Sequence, residues 1–437
     1  MTRGGPEERP AATDRNDGWA DQPPPKPGRT PMFARALVAA AALLALTAGP
    51  LAAQTLNLLV SAGGSGRTFE SSANQFREQT GINVRVIQYP YAEVREKQLL
   101  ELVGQTGNID IVSIDGSIWL PELTPFLKPL DDVNTSNLIP SMVDLFRSDG
   151  KLLALPVRIA GWVLIYRKDL LDQAGLTPPK TWAEFRAAAT TLTKDGVYGF
   201  VPALKQGNYL VVQWIPFLFG HGGAILTPDK KHAAFNTPAG LKATEYFVGL
   251  VKDGLVPPGA KAYEQSDIIT AMSQGIGAMA ITYSPYYLNM NSAKESKVAG
   301  KLDIAPFLPY DPDAGLKTGR TLISGWGFGV ADSSRHPDEA KQFIQFIAGD
   351  SEQKRIAVDN NNAPTSAAVY RDPDYLKAFP AAASVLTALE SAEDRPLIEN
   401  WTEVEDILAR ELSAAISGLK TPQQALSDAE KAVNAAL

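Results

Sequence analysis

The feature that most constrains this chain is an alternation. Short apolar runs recur along it, and behind each come apolar residues spaced three or four apart. Residues 56–60 form the first run, and Phe69, Ala73 and Phe76 carry the helical spacing behind it. Residues 82–87 alternate as a strand, Val94, Leu99 and Leu102 return to helical spacing, and residues 109–114 are apolar again. Strands separated by helices build parallel sheets covered on both faces, so an α/β fold is expected. Residues 277–283, 302–306 and 327–330 are further strand candidates. From Tyr375 onward the pattern is almost purely helical, with Val404, Ile407, Leu408 and Leu412 on one face. Residues 152–166 are too long for one typical strand and contain Pro156 and Gly161, so two strands with a crossing between them are expected.

The stretch 174–185 shows how local chemistry sets element ends. Pro178 and Pro179 fix φ and push the preceding residues out of the helical region, so a helix holding Leu170 and Leu171 ends near Gly175. Thr181 and Glu184 stand in capping-box spacing, and Phe185, Ala188, Ala189 and Leu192 then give a new helix one buried face.

Residues 1–53 differ from the rest. A proline-rich polar run leads to Arg35, an apolar run at 36–46 and a small-residue end at Ala52-Ala53, which reads as an export signal cleaved after Ala53. Met32 would make an ordinary start for that signal, so translation from Met1 or from Met32 is left open. The apolar run is too short to span a bilayer, and an exported, periplasmic protein is expected. The absence of cysteine excludes disulfides, thiolate metal sites and cysteine nucleophiles, and 3 His make imidazole metal clusters improbable. A net charge of −7 argues against nucleic acid as a partner.

Several motifs occur in order behind the leader: Leu155-Pro-Val-Arg158, Leu164-Ile-Tyr-Arg167, the 174–185 stretch, Asn236-Thr-Pro-Ala-Gly240, Gly277-Ala-Met-Ala-Ile281, Ser324-Gly-Trp-Gly-Phe-Gly329, His336-Pro-Asp-Glu339 and Asn362-Ala-Pro-Thr365. Together they resemble the extracellular solute-binding proteins of ABC importers, especially the sugar-binding family related to maltose-binding protein. The resemblance covers essentially the whole chain after the leader. It implies a periplasmic-binding-protein-like α/β fold of two lobes joined by crossing strands, with lobe one at 54–159 plus 307–365 and lobe two at 160–306 plus 366–437. It also implies a monomer that captures a small polar solute, a sugar, oligosaccharide or polyol, in the cleft and delivers it to an ABC permease, with no cofactor.

Sugars present apolar C–H faces and rings of hydroxyls, so their sites pair aromatics with fixed polar groups, and in open α/β sheets ligands sit beyond the carboxyl ends of strands. Asp115 directly follows the 109–114 run, where its carboxylate either accepts ligand hydroxyls or caps a helix starting near Ser117. Arg158 lies beside the first crossing and either bridges to ligand or pairs with an acidic neighbour. Trp326 is flanked by Gly325 and Gly327, whose small size would let its indole and backbone approach a sugar face; packing between lobes is the alternative. By resemblance, Tyr283 and Tyr286 occupy the place of an aromatic stacker, Asn208, Tyr209 and Gln213 line the second lobe's wall, and Trp401 matches a late aromatic contact whose helical spacing also suits packing. Trp119 and Trp214 are expected in the core.

Two rival readings are open to test. Ferric-binding proteins share this fold and use adjacent tyrosinates, which brings forward Tyr286 and Tyr287, although the residues offer no matching histidine or acidic ligand. An enzyme would need a nucleophile or an acid–base pair. The sequence has no G-x-S-x-G elbow, no H-E-x-x-H and no P-loop, and Glu403 and Glu405, two apart on a helix, read as solvated surface.

Overall fold

In a computed structural model, the structure describes residues 55–437 apart from Gly63, Asn361 and Ser391; the leader expected at 1–53 lies outside the described residues. The principal strands are β1 (Thr55–Ser61), β2 (Asn83–Tyr89), β3 (Ile111–Asp115), β4 (Leu155–Arg167), β5 (Tyr198–Phe200), β6 (Gly277–Tyr283), β7 (Leu302–Ile304) and β8 (Thr321–Ala331). They join in the order β2-β1-β3-β8-β4-β6-β5, with β7 also on β4.

The sheet is mixed. The β1–β2, β1–β3 and β5–β6 pairs are parallel, as the alternation predicts. The pairs through the middle, β3–β8, β8–β4, β4–β6 and β4–β7, are antiparallel. This departs from the expected parallel sheets because β8 returns from a distant part of the chain and inserts between β3 and β4, a long-range pairing that local periodicity does not encode.

The second departure is β4. Residues 155–167 form one strand of 13 residues rather than two. Its partner changes instead: residues 155–161 pair with β8, and 162–166 pair with β6. Pro156 is tolerated because the β4–β8 register slips beside it, between Trp326 and Gly327, so the ladder is already broken where the proline lacks its N–H. Gly161 leaves room for a neighbouring side chain, since a Cβ there would stand 2.5 Å from Leu389 Cδ2.

Local predictions hold where the signal is chemical. The helix Lys168–Gln173 ends before Gly175, whose φ of 67° is the left-handed value glycine accepts. Helix α4 (Trp182–Leu192) opens on the capping box: the Glu184 N–H donates to Thr181 Oγ1 at 3.2 Å, and the Thr181 N–H donates to Glu184 Oε2 at 3.2 Å. Phe185, Ala188, Ala189 and Leu192 are buried on its inner face.

Helices cover the sheet and build its cores. One core gathers α4, α5 (Asn208–Gly220), α6 (Pro238–Lys252), α8 (Trp401–Ile416) and α9 (Pro422–Ala436) around Trp182, Phe217 and Phe247, with Trp182 and Phe217 stacked at 4.4 Å. A second packs α1 (Gly64–Thr80) and α2 (Tyr91–Val103) on β1–β3 through Phe69, Phe76 and Val94. Each fully buried side chain of this size contributes roughly 1.5–3 kcal/mol. Among the described residues no helix is long and apolar enough to cross a membrane.

Candidate functional site

The antiparallel register through the middle of the sheet sets up one row of side chains. Trp326 on β8 pairs with Asp115 on β3 on one side and with Arg158 on β4 on the other. Directly opposed residues in antiparallel strands share a face, so a carboxylate, an indole and a guanidinium lie abreast. The Arg158 guanidinium sits 5.7 Å from the Trp326 ring centroid. Asp115 is 7% exposed and stands at the N-cap of α3 (Gly116–Leu123), yet its side chain makes no capping hydrogen bond. Its Oδ2 accepts from the Tyr91 hydroxyl at 3.1 Å.

The glycines around Trp326 have another purpose than the one expected. They face the opposite side of β8, where a Cβ on Gly327 would stand 2.5 Å from the Phe146 ring and one on Gly325 3.0 Å from Leu145. The small residues admit core side chains behind the tryptophan. Gly327→Ala is therefore expected to destabilise the fold by about 1–3 kcal/mol through overpacking, read as a lowered thermal midpoint.

The row borders a cleft with two adjacent chambers, of about 570 Å³ and 540 Å³. Tyr91, Asp115, Tyr283 and Ser324 line both. The first chamber adds Arg158, Trp326, Asn362 and, from α7 (Tyr286–Met290), Tyr286 and Asn289. The second adds Trp119, Asn208, Tyr209, Arg395, Trp401 and Glu405. Tyr91 stacks on Trp119 at 5.2 Å, and Trp119 meets Trp326 edge-on at 5.1 Å, so three aromatic rings form one wall. Tyr283 and Tyr286, in edge contact at 5.7 Å, face the first chamber from β6 and α7. A larger hollow of about 640 Å³ lies away from this row, walled by valines and prolines with Lys252 and Lys261 at its edge.

Of the residues singled out from sequence, Asp115, Arg158, Asn208, Tyr209, Tyr283, Tyr286, Trp326 and Trp401 line this cleft. Gln213 does not. It is fully buried, its Nε2 donating to the Ile281 carbonyl at 3.2 Å and its Oε1 accepting from the Ala203 N–H at 3.3 Å, because a helical step from Asn208 turns it into the core. Trp401 is 1% exposed and belongs mainly to the core, with its Nε1 donating to Glu405 Oε1 at 3.3 Å. Trp214 is buried, as expected, and donates to Thr244 Oγ1 at 3.0 Å; Trp119 is buried too, but on the cleft wall.

Glu405 corrects the reading of the Glu403–Glu405 pair as solvated surface. Glu403 is exposed, but Glu405 is 8% exposed and its Oε1 accepts from Asn208 Nδ2 at 2.7 Å. Burial pushes its carboxyl above the ordinary range, with Arg395 and these hydrogen bonds opposing. The sequence pattern also missed Tyr91 and Arg395. Tyr91 sits two residues past the end of β2, the place where ligand groups are sought, so that signal was present.

The tyrosine pair does not converge. Tyr287 points away from the cleft, 4% exposed, stacked on Phe379 at 5.2 Å, with its hydroxyl donating to the Leu302 carbonyl at 3.2 Å. Adjacent residues on one helical turn diverge, so Tyr286 and Tyr287 cannot both hold an iron ion, and the ferric reading is not supported.

Burial pushes the phenols of Tyr283 and Tyr287 up to about 12. An unfolded tyrosine titrates near 10, so the folded state holds these protons more tightly. Their contribution to stability is complete below about pH 10 and is lost as pH rises through the folded values. The thermal midpoint is expected to decline from about pH 10 upward, and Tyr287→Phe to reduce that alkaline slope.

A family model described as bacterial extracellular solute-binding protein matches residues 61–354. A probable amino-acid ABC transporter periplasmic-binding protein of Sinorhizobium fredii is 25% identical over 391 residues, covering 86% of this chain and 87% of that one. Among solved structures, maltose-bound T. maritima MalE3 superposes with a TM-score of 0.76 at 26% identity, covering 88% of this chain and 100% of the other. An ABC transporter solute binding protein from Agrobacterium radiobacter in complex with ribitol gives 0.76 at 25% identity, covering 89% and 100%. The mixed α/β sheet with its covering helices thus matches the fold of these proteins.

Proposed function

The chain belongs to the bacterial extracellular solute-binding proteins, and from that premise we propose that it captures a carbohydrate or polyol in the cleft and hands it to an ABC permease outside the cytoplasmic membrane. The observation that carries the ligand class is the row Asp115–Trp326–Arg158. An indole offers its face to sugar C–H groups, while a carboxylate and a guanidinium on either side accept and donate at the rim, where the ring hydroxyls lie. The structures of similar proteins bound to maltose and to ribitol support the same class.

We take residues 54–159 with 307–365 as one lobe and 160–306 with 366–437 as the other. Asp115 and Trp326 then belong to the first, and Tyr283, Tyr286 and Asn208 to the second. A ligand touching both sets binds the closed arrangement more tightly than the open one, and only that difference in affinity drives closure. Residues 1–53 act as the export leader, and the site binds without catalysis.

The test is a melting screen of the chain from residue 54, unfolded and refolded to strip carried-over ligand, against sugars, polyols, amino acids and ferric citrate. Ligand at about a hundred times its dissociation constant adds roughly 2.7 kcal/mol of stability, enough to raise the midpoint visibly. One carbohydrate or polyol class raising it supports the proposal. A response confined to amino acids, the class named for the Sinorhizobium relative, contradicts it.

A further inference from the structure

The walls of the second chamber carry four carboxylates, Asp115, Glu122, Glu399 and Glu405, against two guanidiniums, Arg95 and Arg395. Glu122 takes Arg95 at 2.6 Å. Arg395 is shared between Glu405 and a further carboxylate, Asp394, at 3.8 and 3.7 Å, and Asp115 also serves Arg158 in the row. Negative charge is left over, and two groups hold it. Glu399 is exposed, and among the described residues its carboxylate has no hydrogen bond or ion pair. Glu405 is 8% exposed, and both of its hydrogen bonds, from Asn208 and Trp401, fall on Oε1. Its Oε2 receives none, yet it is not among the unpartnered atoms sealed from solvent, so it is open to the chamber that Glu405 lines. The burial that pushes this carboxyl up is a cost that a cation at Oε2 offsets. On the wall of the same chamber Tyr91 is 47% exposed, with its ring stacked on Trp119 and its hydroxyl tied to Asp115. Aromatic faces attract ammonium groups within about 6 Å of the ring centre.

We infer that the second chamber is a binding site for a protonated amine, which donates to Glu405 Oε2, pairs with Glu399 and lies against the Tyr91–Trp119 rings. A neutral hydroxyl can donate to Oε2 as well, but it leaves the Glu399 charge and the aromatic faces unused and so binds more weakly. The ligand class is a small organic ammonium, such as an amino sugar or a diamine. This goes beyond the carbohydrate reading of the row, and neither chamber needs the other to be filled.

The test titrates the mature chain by calorimetry with two matched pairs of probes, glucosamine against glucose and putrescine against butane-1,4-diol, and repeats the amine titrations on Glu405→Gln and Glu399→Gln. At least one amine is expected to bind more tightly than its hydroxyl partner, by about tenfold or more. Both substitutions are expected to weaken that amine, Glu405→Gln by about tenfold or more, while glutamine keeps an acceptor for Asn208. Amines that bind no better than their partners, or that do not bind at all, overturn the inference and leave the carbohydrate reading to the melting screen. Amine binding that either variant leaves unchanged overturns the assignment to this chamber. Should Glu405→Gln fail to fold, Glu399→Gln decides, since that side chain is exposed: a raised dissociation constant for the amine is expected, and an unchanged one overturns the assignment.

Discussion

Trp326→Ala is expected to weaken carbohydrate binding by about 30-fold or more, the roughly 2 kcal/mol that separates a central aromatic anchor from an ordinary contact. The indole stands in the middle of the row, with Asp115 and Arg158 beside it and Trp119 and Tyr91 packed on its edges. Its removal takes away the flat apolar face and frees Arg158 from the ring it lies over. The fold should survive, because Trp326 is only partly buried and the core behind it is filled by Phe146 against the flanking glycines. Calorimetry and melting separate the two effects. An unchanged dissociation constant would remove Trp326 from the site, and a collapsed midpoint would make it a packing residue.

Asp115→Asn is expected to cost binding of the same ligand about 10- to 100-fold, since hydrogen bonds to a charged acceptor contribute roughly 1.5–3 kcal/mol. Asparagine keeps the shape but replaces one acceptor oxygen with a donor. Tyr91 is coupled to this position: its hydroxyl donates to Oδ2 and fixes how the carboxylate faces the cleft. The Tyr91→Phe and Asp115→Asn effects should therefore combine to less than their sum, as measured by a double-mutant cycle. Strict additivity would mean that the Tyr91 hydroxyl does not orient Asp115.

Features written in local chemistry were legible before the structure. The Thr181–Glu184 box, the helix end at Gly175 and the apolar face of α8 depend on neighbours a few residues apart. Asp115, Arg158 and Trp326 could each be chosen for lying at or beside a predicted strand. That they form one row could not be read, because it depends on β8 pairing with β3 and β4 across the chain. The same limit explains β4, where handing over from one partner to another keeps a single strand continuous through Pro156 and Gly161. Gln213 and Glu405 were misjudged for a related reason. Helical phase says which side a residue takes, but only packing says whether that side meets core, solvent or cleft.

The most direct test of the account is a crystal structure of the mature chain with the sugar or polyol that the melting screen selects. The expected result is a ligand lying against the Trp326 indole, with hydroxyls on Asp115 and Arg158 and with Tyr283 and Tyr286 closing over it from the other side. A ligand bound outside this cleft, or in the cleft but away from the Asp115–Trp326–Arg158 row, would contradict it.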